Sequence, residues 1–252
     1  MTLRTFIAPR PLSPFRESLV SIKSIQEHPS STRTYKMINQ YLLIQHIGTG
    51  ADSKVYLAQD TTDGTYYAAK LFDFRRRTES LTNRLAREVR ILANVSHPNL
   101  LKLKEVLEAK EERRSCLIIE YADAGTLNDI HGLTEPEIAA VFKQIITGLE
   151  FLHSKNFVHL DIKPTNILLF SDGRVKLSDF GIGHSFESAG TMIGSPAYQA
   201  PEILMDNIDV VDPTKQDVWS LGVSLYQVVF GKLPFYGDNL YQIVGSIKTN
   251  PV

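Results

Sequence analysis

Cysteine and tryptophan are almost missing from this chain, with one of each in 252 residues. A lone Cys116 excludes an intrachain disulfide and any metal cage built from cysteines. An excess of charge is missing too: 27 Lys and Arg stand against 28 Asp and Glu, for a net charge of −1 and a pI near 6.7. That balance gives no global attraction to nucleic acid or to an anionic membrane. Long hydrophobic runs are absent. The stretch "CLIIEY" is typical, far short of the about 20 apolar residues that a membrane helix needs. The opening "MTLRTFIAPRPLSPF" holds no apolar core long enough for a secretory signal. These absences point to a reducing compartment, the cytoplasm with the nucleus as the other home, and to partners that include neither nucleic acid nor membrane. What is present is 43% hydrophobic residues, enough to fill one large domain or two small lobes.

Residues 1–38 hold four prolines, six serines, and six Lys/Arg against two Asp/Glu. Weak periodicity there predicts a flexible arm with a short helix around Glu17 to Gln26. Such an arm is either a plain linker or a docking peptide. The pattern changes by Tyr41. "YLLIQHIG", "SKVYLAQD" and "TYYAAKLF" read as an antiparallel meander. "ESLTNRLAREVRILANV" places Leu81, Leu85, Val89 and Leu92 at helical spacing. "LLKLKEVLEA" and "SCLIIEY" add two strands. Beyond them the chain turns helical. Thr134 followed by Glu137 forms a capping box, and Ile138, Val141, Ile145, Leu149 and Leu152 mark the buried stripe of the helix it opens. "NILLF" and "RVKLSDF" are short strands around an "SDG" turn. "KQDVWSLGVSLYQVVFG" is apolar enough to predict a central core helix, and "DNLYQIVGSIK" begins another.

Several polar groups stand out against this background. Ile47, Gly48, Thr49 and Gly50 lie between two strands, where a turn poor in side chains brings backbone N–H groups near a phosphate or merely closes a hairpin. A strand follows, so the dinucleotide pattern of strand, glycines and helix does not apply. Lys70 ends an apolar strand and Glu88 lies beside the stripe of the next helix. They either pair, which keeps an ammonium charged near phosphate, or face water separately. Asp161 and Asn166 are five apart after the long helix, and Asp179 follows a short strand. Asn166 and Asp179 offer the hard oxygens that Mg²⁺ prefers. Asp161 is placed to receive a proton from a hydroxyl, with Lys163 two residues on to offset phosphoryl charge.

The pieces "GTGADSKV", "AAK", Glu88, "HLDIKPTN", "DFG" and "APE", in this order, resemble the eukaryotic serine/threonine protein kinases over residues 41–252. The resemblance implies an α+β bilobal fold: an antiparallel-sheet N-lobe with one main helix at about 39–121, and a mainly helical C-lobe at about 122–252. It implies ATP and Mg²⁺ as cofactors and a protein as the phosphate acceptor. Catalytic roles then fall to Asp161, Lys163, Lys70 and Glu88. Nucleotide contacts fall to Ile47, Gly48, Thr49, Gly50, Val55, Ala68, Lys70, Ile119, Glu120, Ala122 and Leu168, with the backbone of 120–122 reading the adenine edge. Metal contacts fall to Asn166 and Asp179. Leu92, Leu103, His159 and Phe180 resemble the apolar spine of active kinases, and Asp217 the aspartate that anchors the catalytic loop. Lys163 and "GSP" at 194–196 imply serine/threonine acceptors, with Ser195 near Asp161.

The pattern is not followed everywhere. Leu160 replaces the arginine that usually binds an activation-loop phosphate, so a phosphate on Thr191 or Ser188 would lack that counter-charge. An activating pseudokinase or scaffold partner would be another route. A pseudokinase that binds nucleotide and acts allosterically is the alternative to an active enzyme. "GSPAYQAPE" and "LPFYGDNLYQIVGSI" resemble the group of liver kinase B and calcium/calmodulin-dependent kinase kinases. Ser53 takes the place of the third glycine, and Thr126 the place of an acidic ribose contact. The sequence stops at Val252, so the expected fold lacks the last C-lobe helices. Glu202 would then lack its arginine partner, and Leu221 and Val228 part of their cover.

Overall fold

The computed structural model describes residues 19–21, 25–30, 33–50, 53–73, 79–109, 114–181, 184–185, 195–204 and 212–249. The chain divides into two units. A sheet unit comprises 1–76 and 103–119, and a helical unit comprises 77–102 and 120–252.

Eight strands build one sheet: β1 (Leu19–Ser21), β2 (Ile25–Ser30), β3 (Arg33–Ile38), β4 (Tyr41–Thr49), β5 (Ser53–Asp60), β6 (Tyr66–Asp73), β7 (Leu103–Ala109) and β8 (Arg114–Glu120). Their spatial order is β1-β7-β8-β6-β5-β4-β3-β2. Neighbours are antiparallel in the β2-β3-β4-β5-β6 run and between β7 and β8, whereas β1 joins β7 in parallel. The two edge strands, β1 and β2, are consecutive in sequence. Four Cα steps from Ser21 to Ile25 span at most about 15 Å, whereas a flat eight-stranded sheet would hold its edges roughly 34 Å apart. The sheet therefore curls.

The curled sheet is filled by Ile38, Tyr41, Leu43, Ala58, Ala69, Leu107, Cys116 and Ile118. Tyr41 meets the ring of Tyr67 edge-on at 5.9 Å and hydrogen-bonds Glu105, which also accepts from Gln40 Nε2 at 3.3 Å. Burial, then Glu105, holds the Tyr41 hydroxyl far above the ordinary tyrosine range.

Within the segment expected as an arm with a helix near Glu17 to Gln26, residues 19–21, 25–30 and 33–38 form strands β1, β2 and β3, and the rest of that expectation lies outside the described residues. The segment's sequence gives little local sign of a strand. Pairing with β4 and β7 overrides that, and Pro29 is tolerated because β2 is an edge strand.

Helix α1 (Glu79–Asn94) groups with the helical unit. Its buried side is Leu85, Glu88, Ile91 and Leu92, continued by Val95. Glu88 thus lies inside the stripe and not beside it. Helix α2 (Glu135–Ser154) starts at the Thr134 box, where the threonine amide and hydroxyl both donate to Glu137, at 2.8 and 2.7 Å. It buries Phe142, Ile145, Gly148, Leu149 and Leu152. A Cβ on Gly148 would stand 2.8 Å from the Asn99 carbonyl oxygen, so only glycine permits this approach. Short strands β9 (Phe157–Val158), β10 (Ile167–Leu169), β11 (Val175–Leu177) and β12 (His184–Ser185) form two antiparallel pairs, β9 with β12 and β10 with β11. Helices α3 (Pro201–Leu204), α4 (Pro213–Phe230) and α5 (Leu240–Thr249) follow.

The expectation of a core helix at α4 needs correcting. Its buried residues are Gln216, Asp217, Ser220, Val223 and Ser224, and Val218, Leu225, Val229 and Phe230 are exposed. Asp217, Ser220 and Ser224 turn inward because they take up hydrogen bonds there, whereas Gln216 Nε2 is buried without a partner among the described residues. Ser220 Oγ donates to the Tyr198 carbonyl at 2.8 Å, and the Asp217 carboxylate accepts from the backbone of His159 and Leu160, as described below.

Candidate active site

The residues singled out from the sequence fall into one group per unit. In the sheet unit, Gly48 pairs with Val55 and Val55 with Lys70, in one row across β4, β5 and β6. Residues opposite each other in a ladder share a face. Ala68 lies two before Lys70 on that face, and Ala58, Ala69 and Ile118 point to the other, into the core. Ile119 therefore lies on the outward side with Val55, Ala68 and Lys70. Lys70 Nζ sits 5.5 Å from the Phe72 ring centroid. At the turn, Gly50 N–H donates to Ser53 O at 2.8 Å, and a Cβ on Gly50 would meet Ser53 Oγ at 2.9 Å. Residues 51 and 52, at the tip, lie outside the described residues.

The helical unit gathers Asp161, Lys163, Asn166 and Ser195 into one network. Asp161 is 5% exposed. Its Oδ2 accepts Lys163 Nζ at 2.8 Å and Asn166 Nδ2 at 3.0 Å. Its Oδ1 accepts the backbone N–H and hydroxyl of Ser195 at 3.2 and 3.1 Å. Lys163 Nζ also donates to Ser195 Oγ at 2.8 Å. Asn166 Nδ2 is shared with the Asp161 carbonyl at 2.8 Å. The amide nitrogen of Asn166 thus braces the loop, and its side-chain oxygen takes no hydrogen bond among the described residues.

Beneath this network lies Asp217, fully buried. Its carboxylate accepts the backbone N–H groups of His159 and Leu160 at 2.9 and 2.7 Å and His153 Nε2 at 2.8 Å. Three donors satisfy a charge that would otherwise be prohibitive in a dry site. Leu160 is buried with φ of +64°, and Asp179 has φ of +63°. A left-handed conformation costs a branched residue such as Leu160 about 1–3 kcal/mol, which a surrounding network must outweigh. The Asp217 bond to the Leu160 amide is part of that network.

His159 fixes the next layer. Its Nε2 lies 2.9 Å from Ser178 O, so that nitrogen carries the proton, and Nδ1 accepts the Asp161 amide at 3.3 Å. Its ring lies 5.1 Å from that of the buried Phe180. Ser178 donates twice to Asn166 O, from N–H at 2.9 Å and Oγ at 3.0 Å. The chain carrying Asp179 is thereby tied to Asn166. Gly181 brings Asp179 and Glu88 together: a Cβ there would lie 3.4 Å from Asp179 Oδ1 and 3.6 Å from Glu88 Oε2.

Glu120 ends β8, Ala122 belongs to the segment that follows it, and Leu168 belongs to β10. Ala124 N–H donates to Leu169 O at 3.1 Å and Leu169 N–H to Gly125 O at 2.9 Å, so the segment after Ala122 runs along β10. Thr126 is occupied by Asp129, which accepts both its amide and its hydroxyl, at 2.9 and 2.7 Å. These two bonds hold the Asp129 carboxyl below the usual range. Thr191, Ser188 and Gly194 lie outside the described residues.

Residues 41–250 match the protein kinase domain family. The chain belongs to the protein kinase family. Its bilobal kinase fold consists of a curled sheet lobe, the one main helix and a mostly helical lobe. The kinase is 32% identical, over 262 aligned residues, to a calcium/calmodulin-dependent protein kinase kinase of Caenorhabditis elegans. That match covers 92% of this kinase and 48% of the relative, so the chain spans about half the length of the curated relative it matches. No helix among the described residues is long and apolar enough to cross a membrane.

Sequence reading missed three residues of the helical unit's buried polar networks, His153, Ser178 and Lys176. His153 and Ser178 act through Asp217 and Asn166 at separations that no local pattern reveals. Lys176 did carry a signal, since a lysine between Val175 and Leu177 poses the same problem as Lys70.

Proposed function

We propose that this kinase transfers the γ-phosphoryl group of ATP to serine or threonine hydroxyls of proteins, and that other kinases are among its substrates. The observation that carries the reading is the Asp161 carboxylate, held by Lys163, Asn166 and Ser195 on two oxygens. An acceptor hydroxyl would replace one of these donors on Asp161. As its oxygen bonds to the γ-phosphorus, the bond from that phosphorus to the β–γ bridging oxygen breaks, ADP leaves, and the hydroxyl proton passes to Asp161. Lys163 would offset charge on the transferred group. The Ser195 contacts support a short hydroxyl acceptor over a phenolic one. The likeness to a kinase kinase supports kinases as substrates.

Lys70 would bind the nucleotide phosphates with the backbone of Ile47, Gly48, Thr49 and Gly50, and the kinase reading gives Glu88 the role of its counter-charge. Val55, Ala68, Ile119 and Leu168 would give the apolar surfaces for the base, and the backbone of Glu120 and Ala122 its polar edge. Asn166 and Asp179 fit magnesium: one has a side-chain oxygen that accepts nothing among the described residues, the other is a carboxylate. No cluster of three or more acidic, His or Cys groups occurs among the described residues, consistent with an ion held partly by substrate phosphates. When bound, magnesium would neutralise charge on the phosphates.

Leu160 favours a second reading, a nucleotide-binding pseudokinase, because it supplies no cation for an activation-loop phosphate. A peptide-array phosphorylation assay with Mg-ATP separates the two. Wild type should label serine or threonine peptides, and Asp161→Asn should lose at least roughly a hundredfold in rate while still binding ATP. Equal turnover in the two proteins contradicts an active site at Asp161. ATP binding without labelling by wild type supports the pseudokinase.

A further inference from the structure

Lys176 carries a charge where charge is expensive. It lies mid-strand in β11 and is 4% exposed. Its Nζ donates to Glu120 Oε2 at 2.6 Å and lies 5.6 Å from the centroid of the Phe170 ring. The same Glu120 oxygen accepts the backbone N–H of Lys102 at 2.9 Å, and the backbone N–H of Glu120 donates to Lys102 O at 3.1 Å. Arg174 approaches the other carboxylate oxygen only to 3.8 Å. The loop before Lys102 is bonded to β11 as well: Leu101 N–H donates to Leu177 O, and Leu177 N–H to Asn99 O, both at 2.9 Å. Asp179 follows three residues after Lys176.

A buried lysine–carboxylate pair is a poor source of stability, because desolvation cancels most of the attraction. An apolar side chain would fill the site as well. What the charge adds is direction. Glu120 has several rotamers, and one of them is selected by Lys176 from β11 and the Lys102 amide together. Lys176 also stands opposite Leu168 in the β10–β11 register, so the two share a face.

We propose that Lys176 is a positioning residue for the nucleotide. Through Glu120 it fixes the backbone of residues 120–122 in the same hydrogen-bonded network that carries Asp179, so that the base and the metal-bound phosphates are held at one spacing. This rests on the kinase reading of the site. Asp123 is a second tether of that segment to the β10–β11 turn, accepting the Ser171 amide at 2.8 Å and hydrogen-bonded to its hydroxyl, but it is exposed.

The test compares wild type, Lys176→Met, Glu120→Gln, the double variant and Lys176→Arg. ATP affinity is measured by calorimetry, KM for ATP and kcat by peptide phosphorylation, and folding by thermal midpoint. Lys176→Met should weaken ATP binding and raise KM about tenfold, with kcat changed by less than about threefold and the thermal midpoint nearly constant. Glu120→Gln should weaken ATP binding to a similar extent, and the double variant should bind no worse than either single one. Lys176→Arg should restore most of the affinity. Unchanged ATP affinity in Lys176→Met overturns the proposal, as do additive losses in the double variant, a lowered midpoint as the sole effect, or a rise in kcat, which would mark a restraint. Wild type that binds no ATP defeats the kinase reading itself. Wild type that binds ATP and transfers phosphate beside unaffected variants defeats only this inference.

Discussion

The two units set their functional residues in different ways. In the sheet unit, alternation does it: Val55, Ala68, Lys70 and Ile119 face one way because Ala58, Ala69 and Ile118 face the other, into an apolar core. In the helical unit, the loop from His159 to Asn166 is irregular, and buried polar groups hold it: Asp217, His159, Ser178 and Asn166. The first arrangement is an outcome of packing, with cost spread over many weak contacts. The second depends on few bonds, each strong because water is excluded. Loss of a core methyl group in the sheet should weaken the unit and leave its outward face intact. Loss of one acceptor in the loop should strand several donors at once.

The largest expected effect on stability follows from Asp217→Ala. The amides of His159 and Leu160 and the His153 ring would lose their common acceptor, at a cost of about 4 kcal/mol. Denaturant unfolding followed by fluorescence of Trp219, the only tryptophan and a residue of the helical unit, reads it directly. A loss under about 1 kcal/mol would remove the contrast between the units. Next comes Ile118→Ala in the sheet core, expected to cost about 3 kcal/mol. Circular dichroism should register it and the Trp219 transition should shift little, because the damage is confined to the sheet.

Gly148→Ala probes packing within the helical unit. In α2 its methyl group would press on the Asn99 carbonyl, which also accepts the Leu177 amide of β11, and overpacking of this kind costs about 2 kcal/mol. A neutral outcome by Trp219 unfolding would show that the loop gives way there. The smallest effect concerns pH. His97 stacks on Phe151 at 5.0 Å, and its Nδ1 accepts the Asn99 amide at 3.1 Å. Burial, then the charge of Lys176, holds its pKa below the ordinary histidine value. The folded protein thus takes up this proton less readily than the unfolded one, and stability falls as pH drops through about 6.5. Between pH 7.5 and 5.5, wild type should lose roughly 2 °C more in thermal midpoint than His97→Gln. An identical loss would remove His97 as the cause.

How far the sequence reveals each region follows from the same contrast. Strands β4 to β6 and β8, helix α1 and the Thr134 cap were legible because the signals are local: alternation, three-and-four spacing, a hydroxyl three residues before a carboxylate. Strands β1 to β3 were not, since "IQEHPS" and "RTYKMI" become strands through their neighbours. The inward face of α4 was misjudged because apolar content does not say which side of a helix meets buried amides. Asp161, Lys163, Asn166 and Asp179 stood out as polar groups at fixed offsets. Glu88 stood out too, but as lying beside its stripe; its burial within the stripe and the contact of Lys176 with Glu120, 56 residues away, did not, because contacts between distant residues are set by the fold alone.

The proposed function requires Lys70 of the sheet unit and Asp179 of the helical unit each to contribute to the binding of magnesium-bound ATP. Calorimetric titration of ATP, with and without Mg²⁺, into wild type, Lys70→Ala of the sheet unit and Asp179→Asn of the helical unit tests it most directly. Mg²⁺ should tighten ATP binding to wild type, Asp179→Asn should lose this gain, and Lys70→Ala should weaken binding in both conditions. Wild-type affinity indifferent to Mg²⁺, or an Asp179→Asn variant that keeps the full magnesium effect, would contradict it.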